Sequence, residues 1–386
     1  MDHFHTISYA QEVIFGPGSL VGLSEAVERF DWHRLVLCSN SSMRKKGHAA
    51  TAESLLGDRL VAVFDQVQPH VQDFQVNEVL ALAIEKNADA VIGMGGGSPI
   101  GVAKAVAFAL EEQRTGHLVR AASPIDQPLF PVIAIPTTYA GSELTPVYGI
   151  THTDETPPRK VTVNDPKIAP KLVIYDPNLT LDLPAEMTAS TGINALAHCI
   201  EALYSRTRNP LSTAAATSGV HHIYNALLRC YQDGNDIEAR TEMLLGAHLA
   251  GLSLASVSMG LHHGLCHVLG GSANVPHGIA NSIVLPHAIR FNADVTALQL
   301  LPAAEAIGIS INGTSTKLVI EALRQKIFEL IGQMNLPQRL RDASVALQES
   351  DLPNLAQLGF QNRTVQNNPK PITEAAQIER LLKDAW

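Results

Sequence analysis

Strand-like runs occur only in the first half of the chain, and this asymmetry limits the possible folds more than any other feature. Leu35-Val36-Leu37-Cys38, residues 60–64 (LVAVF), 88–94 (ADAVIGM) and 131–135 (PVIAI) read as buried strands. They are separated by helical stretches such as 76–86, and Val173-Ile174-Tyr175 is the last strand-like run before a turn. Strands alternating with helices predict a parallel sheet covered on both faces. Beyond about residue 183 only helical periodicities follow, over 185–205, 210–231, 237–258, 316–334, 337–348 and 373–386. Pro337 would open the fifth of these at a first helical position. Asn368-Pro369-Lys370-Pro371 reads as a breaker before the sixth. The expected architecture is an α/β, Rossmann-like domain over residues 1–180 and an all-α domain over 181–386. A chain of 386 residues exceeds one ordinary core and has room for a cleft between two.

Charge and cysteine usage narrow the class. The formal charge of −9 is spread along the chain, and the only basic run is Arg44-Lys45-Lys46. No nucleic acid is expected as a partner, because a phosphate-neutralising face gathers its lysines and arginines. Cys38, Cys199, Cys230 and Cys266 are far apart and form no CxxC pair, which fits a reducing compartment. The first residues show neither a basic segment nor an apolar one, and polar residues interrupt every apolar run before about 18 positions. These features predict no signal peptide, no membrane span and a cytoplasmic location.

The most informative local pattern is Gly93-Met94-Gly95-Gly96-Gly97-Ser98-Pro99, lying between the strand Ala90-Val91-Ile92 and a helix from Ile100. Glycines let a backbone approach a phosphate closely, and free N–H groups at a helix start attract its charge. Ser98 suits the N-cap and Pro99 the first helical position. The spacing is not GxGxxG, yet three consecutive glycines and a cap favour pyrophosphate binding over a turn without a ligand. A second loop, Pro136 to Glu143 (PTTYAGSE), follows the PVIAI strand and offers hydroxyls. Gly95, Gly96, Gly97, Ser98, Thr137, Thr138 and Ser142 are therefore candidate contacts for NADH or NADPH. Ser39 and Asn40 join them at the end of the LVLC strand. No carboxylate stands there to grip an adenosine ribose, so a 2′-phosphate would not be repelled, and Arg44 or Lys45 could attract it.

The second half carries a different constellation. Asn194 and His198 are four residues apart, as are His263 and His267, and each pair shares a helix face. His277 follows in Pro276-His277-Gly278. Any one of sixteen histidines is more often structural than functional, but several imidazoles in apolar helices need partners, which a shared site supplies. Gly264 stands where HExxH would need Glu, and Cys266 lies off the shared face as a packed thiol. Three imidazoles and a carboxylate make a good divalent site. The fourth group here is the neutral amide of Asn194, so no metal is expected to be required.

These segments, with Ile14-Phe15-Gly16-Pro17-Gly18 and Tyr175-Asp176-Pro177, resemble the iron-containing (group III) alcohol dehydrogenase superfamily, and within it the maleylacetate reductase branch. The resemblance runs along nearly the whole chain and implies that family's dehydroquinate synthase-like architecture. It also maps the family's metal ligands, an Asp and three His, onto Asn194, His198, His263 and His277, so the Asp is missing. Where the alcohol dehydrogenases typically carry Asp after the glycine loop, this chain has Gly101 and is similar to the reductases. HHGLCHVLGG and TPVYGIT also look like reductase sequence, whereas Pro276 to Asn281 (PHGIAN) is similar to the alcohol dehydrogenases.

The activity implied is NAD(P)H-dependent reduction of the carbon–carbon double bond of maleylacetate to 3-oxoadipate, in aromatic degradation. Hydride addition to a bond conjugated with a ketone builds an enolate, which needs hydrogen-bond donors and then a proton. His267 and His263 are the expected donors, His198 and His277 polarise or hold the substrate, and Asn194, Arg159 and Lys160 could meet the carboxylates of the diacid. The alternatives are a metal-dependent alcohol dehydrogenase using Fe²⁺ or Zn²⁺, a sugar-phosphate cyclase of the same nucleotide-binding half, and a non-catalytic nucleotide sensor. The second lacks a cationic phosphate grip. A homodimer is expected from the resemblance.

Overall fold

The structure is a computed structural model of the full chain, described here for residues 4, 6–115, 128–153, 159–343 and 346–386, without the side chains of 115, 159 and 160. Two compact units are present: Ile7–Leu183, and Pro184–Trp386 together with Met1–Thr6.

The first unit is built on a six-stranded parallel sheet. Its strands are β1 (Glu12–Phe15), β2 (Leu35–Cys38), β3 (Leu60–Phe64), β5 (Ala90–Gly95), β6 (Val132–Pro136) and β9 (Leu172–Tyr175), in the order β1-β9-β6-β5-β2-β3. Successive side chains of a strand point to opposite faces, and here they feed two separate cores. Val36, Cys38, Val91 and Val132 pack with α4 (Asp73–Glu85) and α5 (Gly97–Thr115). Leu35, Leu37, Ile92, Met94, Ile133 and Ile135 pack with α1 (Gly22–Arg29) and α3 (His48–Leu56). Both faces of the four central strands are dry, which is why β2, β5, β6 and β9 read as apolar runs. From β2 the chain runs outward to β3, then returns to β5 on the other side of β2 and continues to β6 and β9. The C-terminal ends of β2 and β5 therefore flank the point where strand order reverses.

A second sheet, β4 (Val71–Gln72), β7 (Val147–His152) and β8 (Arg159–Asn164), was not anticipated from the sequence. β4 is two residues long, β7 contains Gly149, and β8 begins with two charges, so none carries the apolar run of a central strand. β7 and β8 pair antiparallel, and β7 and β4 parallel.

The second unit holds no strand among the described residues. It consists of α6 (Ala185–Tyr204), α7 (Pro210–Gln232), α8 (Ile237–Ser256), α9 (Leu261–Ala273), α10 (His277–Ala306), α11 (Thr316–Gln333), α12 (Leu352–Gln361), α13 (Arg363–Gln366) and α14 (Ala375–Asp384). Among the described residues of 337–348 the expected helix does not form, and a 3-10 turn at Leu340–Asp342 is found there. Leu340 N donates to the carbonyl of Ala385 at 2.8 Å, so this backbone is spent on the end of the chain instead of on a helix of its own. In its place the unit gains α10, thirty residues long, with Pro286 and Pro302 inside it. Residues 279–286 of α10 are buried all round, so tertiary burial holds together a helix that its prolines would interrupt. Among the described residues no single helix is long and apolar enough to cross a membrane.

Candidate active site

In the α/β unit the two loops picked from the sequence meet. Gly95 has φ +141°, a backbone state that L side chains rarely adopt, and a Cβ there would stand 3.5 Å from Asn40 Nδ2. A Cβ on Gly96 would come within 3.3 Å of Thr138 Cγ2. Thr137 N donates to Gly95 O at 2.9 Å and joins the loop after β6 to the loop after β5. Gly95, Gly96, Asn40, Thr137 and Thr138 thus gather at the C-terminal edge of the sheet, beside the strand-order reversal where open α/β sheets bind their ligands. Nothing would meet a Cβ on Gly97, which is exposed at the start of α5. That helix begins at Gly97, so Ser98 and Pro99 sit inside its first turn and Ser98 is not the N-cap expected from the sequence. Pro99 is tolerated there because first-turn N–H groups lack an intrahelical partner in any case.

Two further cofactor expectations change with the geometry. Ser39 is fully buried and its hydroxyl has no partner within the protein, while Asn40 uses Oδ1 to cap α2 (Ser41–Lys45) through Met43 N at 3.1 Å. Arg44 is not a free cation waiting for a 2′-phosphate. It is bound to Asp65 at 2.5 Å and to Glu53. Asp65 follows β3, not β2, which is why a search for a carboxylate at the end of β2 missed it. Ser142 contributes through its carbonyl. Lys104 Nζ, fully buried on α5, donates to the carbonyls of Ser142, Thr145 and Val147 at 2.5, 2.7 and 3.1 Å. Burial pulls this lysine down to about 7, and nearby Glu143 opposes that pull. Tyr175 donates its hydroxyl proton to Glu143 at 2.9 Å. The PTTYAGSE loop is therefore pinned from beneath by charged groups that composition gave no reason to bury. Arg159 and Lys160 lie on β8, where their side chains fall outside the described residues.

In the helical unit the five selected residues come from three helices: Asn194 and His198 on α6, His263 and His267 on α9, His277 at the start of α10. The rings of His198 and His263 stack at 4.5 Å, those of His263 and His277 lie 6.5 Å apart, and those of His267 and His277 stack at 5.8 Å. Close helix packing makes the cluster possible. A Cβ on Gly264 would strike Val365 Cγ2 at 2.4 Å, and one on Gly278 would lie 2.6 Å from Ser190 Cβ. Gly264 is thus required by α13, which is a packing reason for the absence of an HExxH glutamate. Cys266 is fully buried with Sγ 3.8 Å from His262 Nε2, and its thiol is held well above its usual range by burial.

The cluster is dry at one end and wet at the other. Asn194, His198 and His263 are 6%, 4% and 3% exposed, whereas His267 and His277 are exposed. Burial, and next the neighbouring imidazoles, hold His198 and His263 well below the ordinary histidine value. Asn194 Oδ1, His198 Nδ1 and His263 Nε2 have no hydrogen-bond partner within the protein. Unpartnered buried polar atoms call for a partner, and three on neighbouring helix faces give a polar ligand donors and acceptors to meet.

Two residues given no role in the sequence reading complete the network. Glu201, 1% exposed on α6, accepts the main-chain N–H of His262 at 3.0 Å and contacts His263 Nδ1 at 2.6 Å. His262, fully buried, has Nδ1 3.1 Å from His263 Nδ1 and Nε2 3.4 Å from the carbonyl of Asn281. Asn194, His198 and Glu201 are spaced i, i+4, i+7 in a stretch of α6 that is otherwise apolar from Gly192 to Tyr204, a one-face pattern that could have identified the carboxylate.

A divalent cation finds a poor donor set here. Among the described residues, only Glu201, His262 and His263 place three His, Cys, Asp or Glu donor atoms within 4.8 Å of one another, and those donors are engaged with each other and with main-chain amides. His198, His263 and His277 form no such set, and the fourth group, Asn194, brings no negative charge. The residues present do not fit a tightly held metal.

Comparison with known proteins gives a consistent picture. Residues 10–177 match the family model for iron-containing alcohol dehydrogenase, and residues 188–386 match the C-terminal model of the Fe-containing alcohol dehydrogenase family. Maleylacetate reductase of Pseudomonas knackmussii is 34% identical over 374 residues, covering 97% of this chain and 95% of its own. The crystal structure of maleylacetate reductase from Agrobacterium tumefaciens superposes with a TM-score of 0.85 at 32% identity, over 100% of this chain and 99% of its own. A 1,3-propanediol oxidoreductase structure gives 0.92 at 29% identity, over the whole of both chains.

Proposed function

The chain belongs to the iron-containing alcohol dehydrogenase family, and from that premise we propose that it is a maleylacetate reductase, converting maleylacetate and NAD(P)H to 3-oxoadipate and NAD(P)⁺ with uptake of one proton. The observation that carries this reading is the cluster of four imidazoles, with the neutral amide of Asn194 one helical turn from His198 where a cation site needs a carboxylate. Relatives of that name, similar along nearly the full chain, support it.

Gly95, Gly96 and the hydroxyls of Thr137 and Thr138 would hold the nucleotide, since any side chain at the two glycines would fill the cradle. The reduced nicotinamide supplies the hydride. This chain's own residues then have two tasks. They must steady the negative charge that moves onto the ketone oxygen when the carbon beta to it is reduced, and they must deliver a proton to the alpha carbon. His198, buried and with an unpartnered Nδ1 that can carry a hydrogen, suits the first task, and from Asn194 only the amide nitrogen could assist it. His267 and His277, open to solvent, suit the second and also meet the carboxylates of the diacid. His263 links the two groups of rings. A metal has no step in this scheme.

NADH and NADPH are both accepted in this reading. The pairing of Arg44 with Asp65 and Glu53 makes NADH the better of the two, because that guanidinium has little charge left for a 2′-phosphate. The substrate is a small dicarboxylate, the place in metabolism is aromatic-compound breakdown, the location is the cytoplasm, and the active form is a homodimer.

The test follows reduced-nicotinamide absorbance with maleylacetate, short alcohols and short aldehydes, with and without EDTA. Turnover of maleylacetate unaffected by the chelator is expected. Activity confined to alcohols and abolished by EDTA would overturn the proposal in favour of metal-dependent alcohol oxidation.

A further inference from the structure

We propose that Glu201 is the positioning residue of the imidazole cluster: its carboxylate accepts the Nδ1–H of His263, fixes that ring's tautomer, and leaves Nε2 as a lone pair facing the reacting groups. The inference rests on the reading of His263 as part of the reductase site.

Three observations carry it. First, Glu201 is held as an acceptor. Its Oε1 takes the main-chain N–H of His262 at 3.0 Å and its Oε2 the main-chain N–H of His263 at 3.3 Å, both at the start of α9, where the helix dipole favours negative charge. A Cβ on Gly260 would lie 3.2 Å from Oε1, so the glycine before the helix leaves the carboxylate its space. Second, the 2.6 Å separation of Oε2 and His263 Nδ1 suits a charge-assisted hydrogen bond, and a carboxylate that already accepts two main-chain N–H groups places its proton on the ring. Third, the rest of the network agrees with this placement. His262 Nε2 faces the carbonyl of Asn281 at 3.4 Å and must donate, so its Nδ1 is a lone pair. That lone pair stands 3.1 Å from His263 Nδ1 and accepts the same proton. A hydrogen on His263 Nε2 instead would set three acceptor atoms against one another in a dry interior. The 11° stack on His198 then keeps the ring plane from turning.

The consequence for the reaction is specific. In its resting state His263 accepts at Nε2, so the proton given to carbon comes from His267 or His277, and His263 orders the rings between them and His198. The sequence-based expectation that His263 donates is revised accordingly.

Glu201→Gln separates this role from simple packing. The glutamine oxygen can still accept the His262 N–H, but its amide donates to Nδ1 and drives the hydrogen to Nε2. Nitrogen-15 spectra of the histidine-labelled full-length protein, with His263 assigned against a His263→Gln variant, should show Nδ1–H in the wild type and Nε2–H in E201Q. With maleylacetate, kcat in E201Q should fall about 10- to 100-fold, the range seen when metal-bound histidines lose the partner that orients them. KM for NADH should stay within about twofold, as expected when uniform binding is untouched. A wild-type spectrum with the hydrogen on Nε2 overturns the proposal even if E201Q does not fold, and so does a folded E201Q that keeps both tautomer and kcat. Absence of maleylacetate turnover by the wild type sinks the reductase reading alone, since the tautomer is read without substrate.

Discussion

At Asn194 a neutral amide stands where a divalent site would want a carboxylate, and in the proposed reaction the charge that a cation would compensate falls to imidazoles. A carboxylate can be put there. In Asn194→Asp the new carboxylate faces His198 one turn away, and the variant should retain about one equivalent of Zn²⁺ through gel filtration, where the wild type retains none. Metal analysis of both after incubation with zinc decides this, and equal metal content in the two would show that position 194 is not what sets it. The five residues of the cluster were legible in the sequence because imidazoles and an amide at i, i+4 spacing in apolar helices are costly to bury separately. Glu201 was passed over because a lone glutamate on a helix usually faces water. Its partners are main-chain amides of another helix, which no spacing rule reports. The pairing of Arg44 was hidden for a similar reason, since Asp65 lies 21 residues away on a different strand end.

Among the elements, α5 does more than cover the sheet. Its Lys104 reaches into the loop after β6 and satisfies three carbonyls, which ties the hydroxyl-bearing segment to the helix that starts at the glycines. Lys104→Met keeps the volume but removes every donor. It should cost about 3 kcal/mol of stability, the order expected when buried carbonyls lose their partner. KM for NADH should rise with little change in the affinity for substrate analogues. Urea melts and steady-state kinetics check both halves, and an unchanged KM would separate the lysine from cofactor binding. The central parallel strands were visible because both their faces are buried and their runs are apolar, whereas the edge strand β1, half exposed and opened by Glu12, was not read as a strand. The small β4-β7-β8 sheet was not, since its strands are short, charged or interrupted by glycine. α10 was hidden by its own prolines, and the segment at 337–348 misled because its periodicity is answered by the end of the chain, through Leu340 and Ala385, and not by helix formation.

For the molecule as a whole, the buried histidines set a pH limit. His198, His262 and His263 all titrate below their ordinary value because burial disfavours the charged ring, His262 at about 3. Below pH 6.5 the unfolded chain takes up protons that the native state refuses, so stability falls with pH from about 6.5 down to the native values. Each ring contributes up to about 1.4 kcal/mol per pH unit. Denaturant midpoints between pH 7 and pH 5 should decline steadily, and His262→Gln should flatten that slope by about one ring's share. Identical slopes in the two proteins would mean that His262 is charged in the fold. The division of the chain into a strand-bearing first part and a helical second part was plain from periodicity alone, because the two patterns have different periods. A row of rings that begins in the dry interior and ends in water also gives the site a direction. In the proposed reaction, solvent would recharge only the outer pair after each turnover, and the enolate would form beside the inner pair, where water is not at hand to quench it.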